Sequence, residues 1–219
     1  MVAEISAKIV KELREKTSAG MMDCKKALQE ANGDIAKAEE ALKKKGLVTA
    51  AKKSGRIATE GIVEAYIHMG GKLGILVEVN CETDFVARRS EFQELARSIA
   101  MQIAACPQVQ FINAADIPSE VSEKEKKIEM AKDDLGNKPL EIKEKIVEGR
   151  IQKKLKEMVL LDQPFIRDSS ITIEELVKKN ISSLGENIQI RRFERFVLGE
   201  GLEKKNENFS DEVEKMMKK

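Results

Sequence analysis

A chain of 219 residues in which 39 lysines and arginines face 38 aspartates and glutamates has a formal charge of +1, which argues against direct nucleic-acid or membrane partners, since both demand a strong positive excess. Charged residues make up 35% and aromatics only 4%, the balance of a helix-rich protein with an aliphatic core and ionic exposed faces. Three widely spaced cysteines (Cys24, Cys81, Cys106) and one histidine (His68) supply neither a disulfide framework nor a zinc site, so reduced thiols and no metal or cofactor are expected.

The N-terminus has acids at Glu4 and Glu12 and no basic start before an apolar stretch, so it reads as neither a secretory signal nor a transit peptide. No apolar run reaches membrane-spanning length. Ile5, Ile9, Val10 and Leu13 follow helical spacing up to a stop at residues 17–20. A second helix carries Met21, Met22, Cys24, Ala27 and Leu28, and Gly33 can cap its end. Asp34 is placed to cap a third helix holding Ile35, Ala38, Ala41 and Leu42, which Gly46 is expected to end. These residues, 1–45, read as a three-helix unit. Residues 46–58 are small and basic with weak periodicity and read as a linker.

The core is expected over 59–203. A hairpin opens it, with Val63, Ala65, Ile67 and Met69 on one face, a turn at Gly70-Gly71, and the same face continuing through Leu73, Ile75, Val77 and Val79. The strand ends in Cys81-Glu-Thr-Asp-Phe-Val-Ala-Arg88. Thr83, Asp84, Phe85 and Val86 stand at the centre of this connection, an apolar ring beside a carboxylate at a loop tip. Loops on a rigid scaffold are where working residues concentrate. A helix from Ser90, with a Ser90/Gln93 capping box, presents Phe92, Leu95, Ile99 and Ile103. Residues 118–161 read as a charged helical hairpin broken at 136–139. Thr172 and Glu175 form another capping box for a helix ending at Gly185, and residues 188–198 read as a third strand. A weak helical tail over 204–219 closes the chain.

Catalytic signatures do not assemble. Gly70-Gly71-Lys72 lacks the rest of a phosphate loop, no G-x-G-x-x-G follows a strand, and no serine sits in a nucleophile elbow. His68, the single partner for cysteine catalysis, falls at a strand end. The basic clusters at Lys43-Lys-Lys45 with Lys52, Lys53 and Arg56, and at Arg191, Arg192 and Arg195, read as a helix end with its linker and as a wet strand face. The glycine-aromatic signature of sheet-type RNA readers is absent. The chain reads as a protein that acts by binding.

Two long motifs then point to a family. Leu13-Arg-Glu-Lys-Thr-Ser-Ala-Gly-Met-Met-Asp-Cys-Lys-Lys-Ala-Leu28 with Glu30-Ala-Asn-Gly-Asp34 resembles the N-terminal domain of elongation factor Ts, and Val77-Glu-Val-Asn-Cys-Glu-Thr-Asp-Phe-Val-Ala87 resembles the second signature of that family. Ile146-Val-Glu-Gly-Arg150, Asp162-Gln-Pro-Phe165, Leu184-Gly-Glu-Asn-Ile188 and Val197-Leu-Gly-Glu-Gly201 agree in order, so the resemblance covers nearly the whole chain. It implies an α+β fold: an N-terminal three-helix ubiquitin-associated-like domain, then a core with a three-stranded antiparallel sheet packed by helices and a helical hairpin. It implies guanine nucleotide exchange on elongation factor Tu, without covalent chemistry. Residues matching Asp84 and Phe85 disturb the partner's magnesium site in the family, with Thr83 and Val86 shaping the turn. Partner-facing positions of the N-terminal domain match Arg14, Met21, Met22 and Lys25; of the two methionines, one is expected to be exposed and the other buried. A single hairpin resembles the short forms of cyanobacteria and plastids and leaves room for a homodimer, working in a bacterial cytoplasm or a plastid stroma. The alternative is an RNA- or ribosome-associated binding protein without exchange activity.

Overall fold

The computed structural model describes residues 5–17, 19–132 and 139–202. The expected tail over 204–219, most of the break at 136–139, and Ser18 within the first helix stop lie outside the described residues.

Helices α1 (Ala7–Thr17), α2 (Met21–Glu30) and the first half of α3 (Ile35–Lys53) enclose a small core of Val10, Leu13, Cys24, Ala27, Leu28, Ala38 and Leu42. The α2–α3 corner forms as its residues require. Gly33 takes φ +86°, and the Asp34 carboxylate accepts from the Lys37 amide at 3.1 Å.

Helix α3 departs from expectation: it passes through Gly46 and continues to Lys53. Glycine inside a helix costs about 1 kcal/mol relative to alanine, and packing against α8 (Ile173–Leu184) offsets it. A β-carbon at Gly46 would stand 3.4 Å from Ser182 Oγ. Further contacts fasten the same helix: Lys43 pairs with Glu175 at 3.1 Å, Ala50 is buried in the main core, and Lys53 Nζ donates to the Gly185 carbonyl at 2.5 Å. Much of the stretch read as a linker is therefore a rigid rod seated on the core.

Strands β1 (Glu60–Ile67), β2 (Leu73–Cys81) and β5 (Gln189–Val197) form an antiparallel sheet in the order β1-β2-β5. Gly70 and Gly71, with φ +91° and +66°, turn the hairpin. The register corrects the expected faces. Ile62 pairs with Val79 and Tyr66 with Ile75, so the core receives Ile62 and Tyr66, while Val63, Ala65 and Ile67 stand opposite Glu78, Leu76 and Gly74 on the other face. Val63 is 66% exposed. β1 has apolar residues at both parities, and the hairpin register decided which set went inward.

Helix α5 (Ser90–Ala105) packs behind the sheet with Phe92, Leu95, Ile99 and Ile103 fully or nearly fully buried. Its N-cap is Arg89, without a side-chain cap bond, so the Ser90/Gln93 box does not form. The helix starts one residue early because Gln93 already donates its amide to the Arg89 carbonyl at 3.1 Å. At the other end, the Arg195 guanidinium from β5 donates to the carbonyls of Ile103 (2.6 Å), Cys106 (2.8 Å) and Pro107 (2.5 Å), covering one terminal acceptor of α5, its C-cap carbonyl and the residue that follows.

Helices α6 (Ser119–Met130) and α7 (Leu140–Met158) form the expected hairpin around Val147 and Ile151, flanked by pairs of Glu125 with Lys154 and of Glu129 with Lys132 and Arg150. A short ribbon that the sequence did not suggest, β3 (Pro164–Phe165) with β4 (Asp168–Thr172), leads into α8. The Thr172/Glu175 capping box starts α8, and Gly185 at φ +84° ends it. None of the described helices is long and apolar enough to cross a membrane.

Candidate partner-binding site

The connection after β2 is a helical turn rather than an open loop. Thr83 is the N-cap of α4 (Asp84–Ala87), its hydroxyl oxygen facing the Val86 amide at 3.4 Å. Within one turn the side chains divide. Val86 and Ala87 are buried in the main core, whereas Asp84 is half-exposed and Phe85 is 77% exposed. Asp84 pairs with Arg88 at 2.7 Å, the i,i+4 spacing of one helical turn. The ring has no packing of its own to keep it there; the turn beneath it does that.

The turn rests on polar partners distant in sequence. Glu186 Oε2 accepts from the amides of Glu82 (3.1 Å) and Thr83 (3.0 Å), and its Oε1 accepts from the Thr83 hydroxyl at 2.6 Å. Glu82 in turn accepts from the Asn187 amide at 2.7 Å, and Asn187 Nδ2 donates to the Arg56 carbonyl at 2.7 Å. Neither Glu186 nor Asn187 was a candidate from sequence. The signal was a polar pair placed immediately after the helix-stopping Gly185.

The Cys81 thiol donates to the Thr83 carbonyl at 3.1 Å. Burial, and next the negative charge of Glu186, push its pKa up to about 11, so it remains an unreactive thiol. Cys24 is buried and Cys106 is partly exposed. Alkylation of the native protein near pH 8 is expected to modify Cys106 before Cys24 and Cys81, as read by mass spectrometry; early reaction at Cys81 would mean that the floor of the turn opens.

In the N-terminal helices Arg14, Met21, Met22 and Lys25 are all exposed, Met21 by 47% and Met22 by 75%. The expectation that one methionine would be buried is thus corrected. The inward stripe of α2 begins at Cys24 and continues through Ala27 and Leu28, which leaves Met21, one turn earlier, at the open end of the bundle.

Among the described residues no group of three or more histidine, cysteine, aspartate or glutamate side chains could hold a metal ion. What the fold and the site define is an α+β protein that presents a ring and a carboxylate on a supported turn. The sequence model described as elongation factor TS matches residues 1–200. The chain is 74% identical to the chloroplastic elongation factor Ts of Guillardia theta and 75% identical to that of Rhodomonas salina, each over 219 residues and the whole of both chains. It is 65% identical over 216 residues to elongation factor Ts of Picosynechococcus sp., covering 99% of each chain. The chain belongs to the elongation factor Ts family, and so to the elongation factors of protein synthesis.

Proposed function

We propose that this protein binds elongation factor Tu in its GDP-bound form and releases the nucleotide, acting in translation elongation by binding alone. The observation that carries this reading is the exposed Phe85 beside Asp84 on a turn whose other side chains are buried. An exchange factor must favour the nucleotide-free partner, and linkage makes the effect reciprocal: the factor by which it weakens nucleotide binding is the factor by which nucleotide weakens its own. Each tenfold step corresponds to about 1.4 kcal/mol of contact made in one state only.

Phe85 serves as the wedge between partner elements, and Asp84, released from Arg88, competes for the groups that orient the partner's magnesium ion, the largest local charge there. Thr83 and Val86 hold the turn. Arg14 and Lys25 act as rim charges that speed encounter, and Met21 and Met22 offer an adaptable apolar contact. The test is release of labelled GDP from elongation factor Tu. The expected result is acceleration that saturates with this protein; no acceleration overturns the reading, and tight RNA binding at physiological salt in its place supports the alternative. The chloroplastic and cyanobacterial relatives support a site of action in a plastid stroma or a bacterial cytoplasm.

The protein is further read as a homodimer. Val63, Ile67, Leu76 and Phe196 leave an exposed apolar patch on the outer face of the sheet, beside the charged Glu78, Arg192 and Glu194, and a polar-rimmed apolar patch marks an interaction surface. The resemblance assigns the long form two core repeats in one chain; here a second copy supplies the missing sheet. Sedimentation is expected to show a dimer for the parent and a monomer for Phe196→Glu. A monomeric parent at about 10 µM, a concentration well above that at which stable dimers form, overturns this reading.

A further inference from the structure

We propose that Glu186 is the positioning residue of the exchange turn: its carboxylate, brought beneath the turn from a distant part of the chain, fixes the orientation of Asp84 and Phe85. The inference rests on the exchange reading above and adds to it a residue that acts through Thr83 and the turn rather than as the wedge itself.

The geometry is specific to one anion in one place. A carboxylate can accept several hydrogen bonds and donates none, and bonds to an ionised acceptor are among the stronger ones. Glu186 uses both oxygens on the turn: Oε2 takes two successive backbone amides, and Oε1 takes the Thr83 proton. That proton is the one proton of the hydroxyl. With it committed to Glu186, a lone pair of Thr83 Oγ1 is left to face the Val86 amide at 3.4 Å, which is the cap of α4. The carboxylate thus sets both where the chain enters the turn and which way the cap group points.

Glu186 is itself held from the other side. Gly185 ends α8 with φ +84°, and the Lys53 ammonium at the end of α3 donates to the Gly185 carbonyl at 2.5 Å. Asn187 grips the Arg56 carbonyl and the Glu82 carboxylate. The segment 185–187 therefore joins the rod carrying the N-terminal helices to the turn carrying the ring. A ring that is 77% exposed gains nothing from the core by staying in place. Without this support the turn would have to be ordered during docking, and the competent arrangement would be only a fraction of the population, lowering its effect in proportion.

A residue that only stabilised the fold would change melting temperature and leave exchange per folded molecule alone. The experiment is a double-mutant cycle on the apparent second-order rate constant for GDP release, measured with exchange factor below saturation, using the parent, Glu186→Ala, Phe85→Ala and the double variant. Glu186→Gln, which keeps an acceptor for the two amides, is included in case the alanine variant folds poorly. The expected result is a loss of about tenfold for Glu186→Ala, corresponding to a turn competent one part in ten, a smaller loss for Glu186→Gln, and less than about twofold for Glu186→Ala in the Phe85→Ala background. Losses of equal size in both backgrounds, or no loss in the parent background, overturn the positioning role while leaving exchange intact. A parent that accelerates nothing overturns the exchange reading itself, and this inference with it.

Discussion

Phe85→Ala is expected to leave the melting temperature and urea midpoint nearly unchanged and to slow GDP release from elongation factor Tu by about 30-fold or more. The two halves of this expectation have separate physical causes. The ring is 77% exposed, and the turn is held by Thr83, Val86 and Ala87, so truncation removes little that the free protein buries. Substitutions at such surface positions usually fall within about 0.5 kcal/mol. An aromatic side chain that fills a pocket on a partner is worth about 2 kcal/mol or more on truncation, and that energy corresponds to about 30-fold in rate when the contact is made only in the exchanging state. Stopped-flow release of a fluorescent GDP, with calorimetry as the control, decides it. Unchanged release leaves the exchange function standing and removes the wedge; a large loss of stability shows that the ring serves the fold.

Phe92→Ala, seven positions along, is expected to do the reverse. Phe92 lies in the first turn of α5, is 0% exposed, and sits in the main core. Truncating a buried phenylalanine costs about 3–5 kcal/mol, the lost transfer energy together with the cavity left behind. Folded proteins have only about 5–15 kcal/mol in total, so the urea midpoint should fall far, while GDP release per folded molecule stays near that of the parent. Urea titration followed by circular dichroism measures the first, and exchange assayed well below the shifted midpoint measures the second. A loss under about 1 kcal/mol would mean that the site collapses around the cavity.

The two phenylalanines look alike in the sequence, and only their neighbours separate them. Helical spacing with Leu95, Ile99 and Ile103 places Phe92 on the inward stripe of α5 before any coordinates are known. Phe85 has no such partners. Its pairing with Asp84 at a strand end marked it as unusual, and the family resemblance turned that oddity into the proposed partner contact. Capping chemistry was equally legible: Asp34 at α3 and the Thr172/Glu175 box at α8 each act over three or four residues, a distance at which the sequence is the structure. At α5 the signal pointed to Ser90, and the geometry of the preceding turn moved the cap to Arg89.

Longer-range features were hidden. Gly46 reads as a stop, and α3 runs through it because Ser182 and Gly185 of a helix more than a hundred residues away pack and bond against the rod. β1 offers apolar residues on both faces, and the register against β2 sent Ile62 and Tyr66 inward and left Val63 and Ile67 outside. Glu186 has only its place in a polar pair after Gly185 to mark it, and nothing local ties it to the turn after β2.

Period and capping residues by themselves determined the order of the main helices and of the three sheet strands, most inward helix stripes and the residues at the tip, while the family resemblance supplied the α+β class. These follow from interactions within a few positions of the chain, where neighbouring side chains alone set the energy. The tertiary structure alone decided which face of β1 is wet, how far α3 extends, and that the entry to the turn at Glu82 and Thr83 is bonded to Glu186. Those outcomes depend on free-energy differences between surfaces that meet only after the chain has folded, and a one-dimensional pattern does not contain the partner.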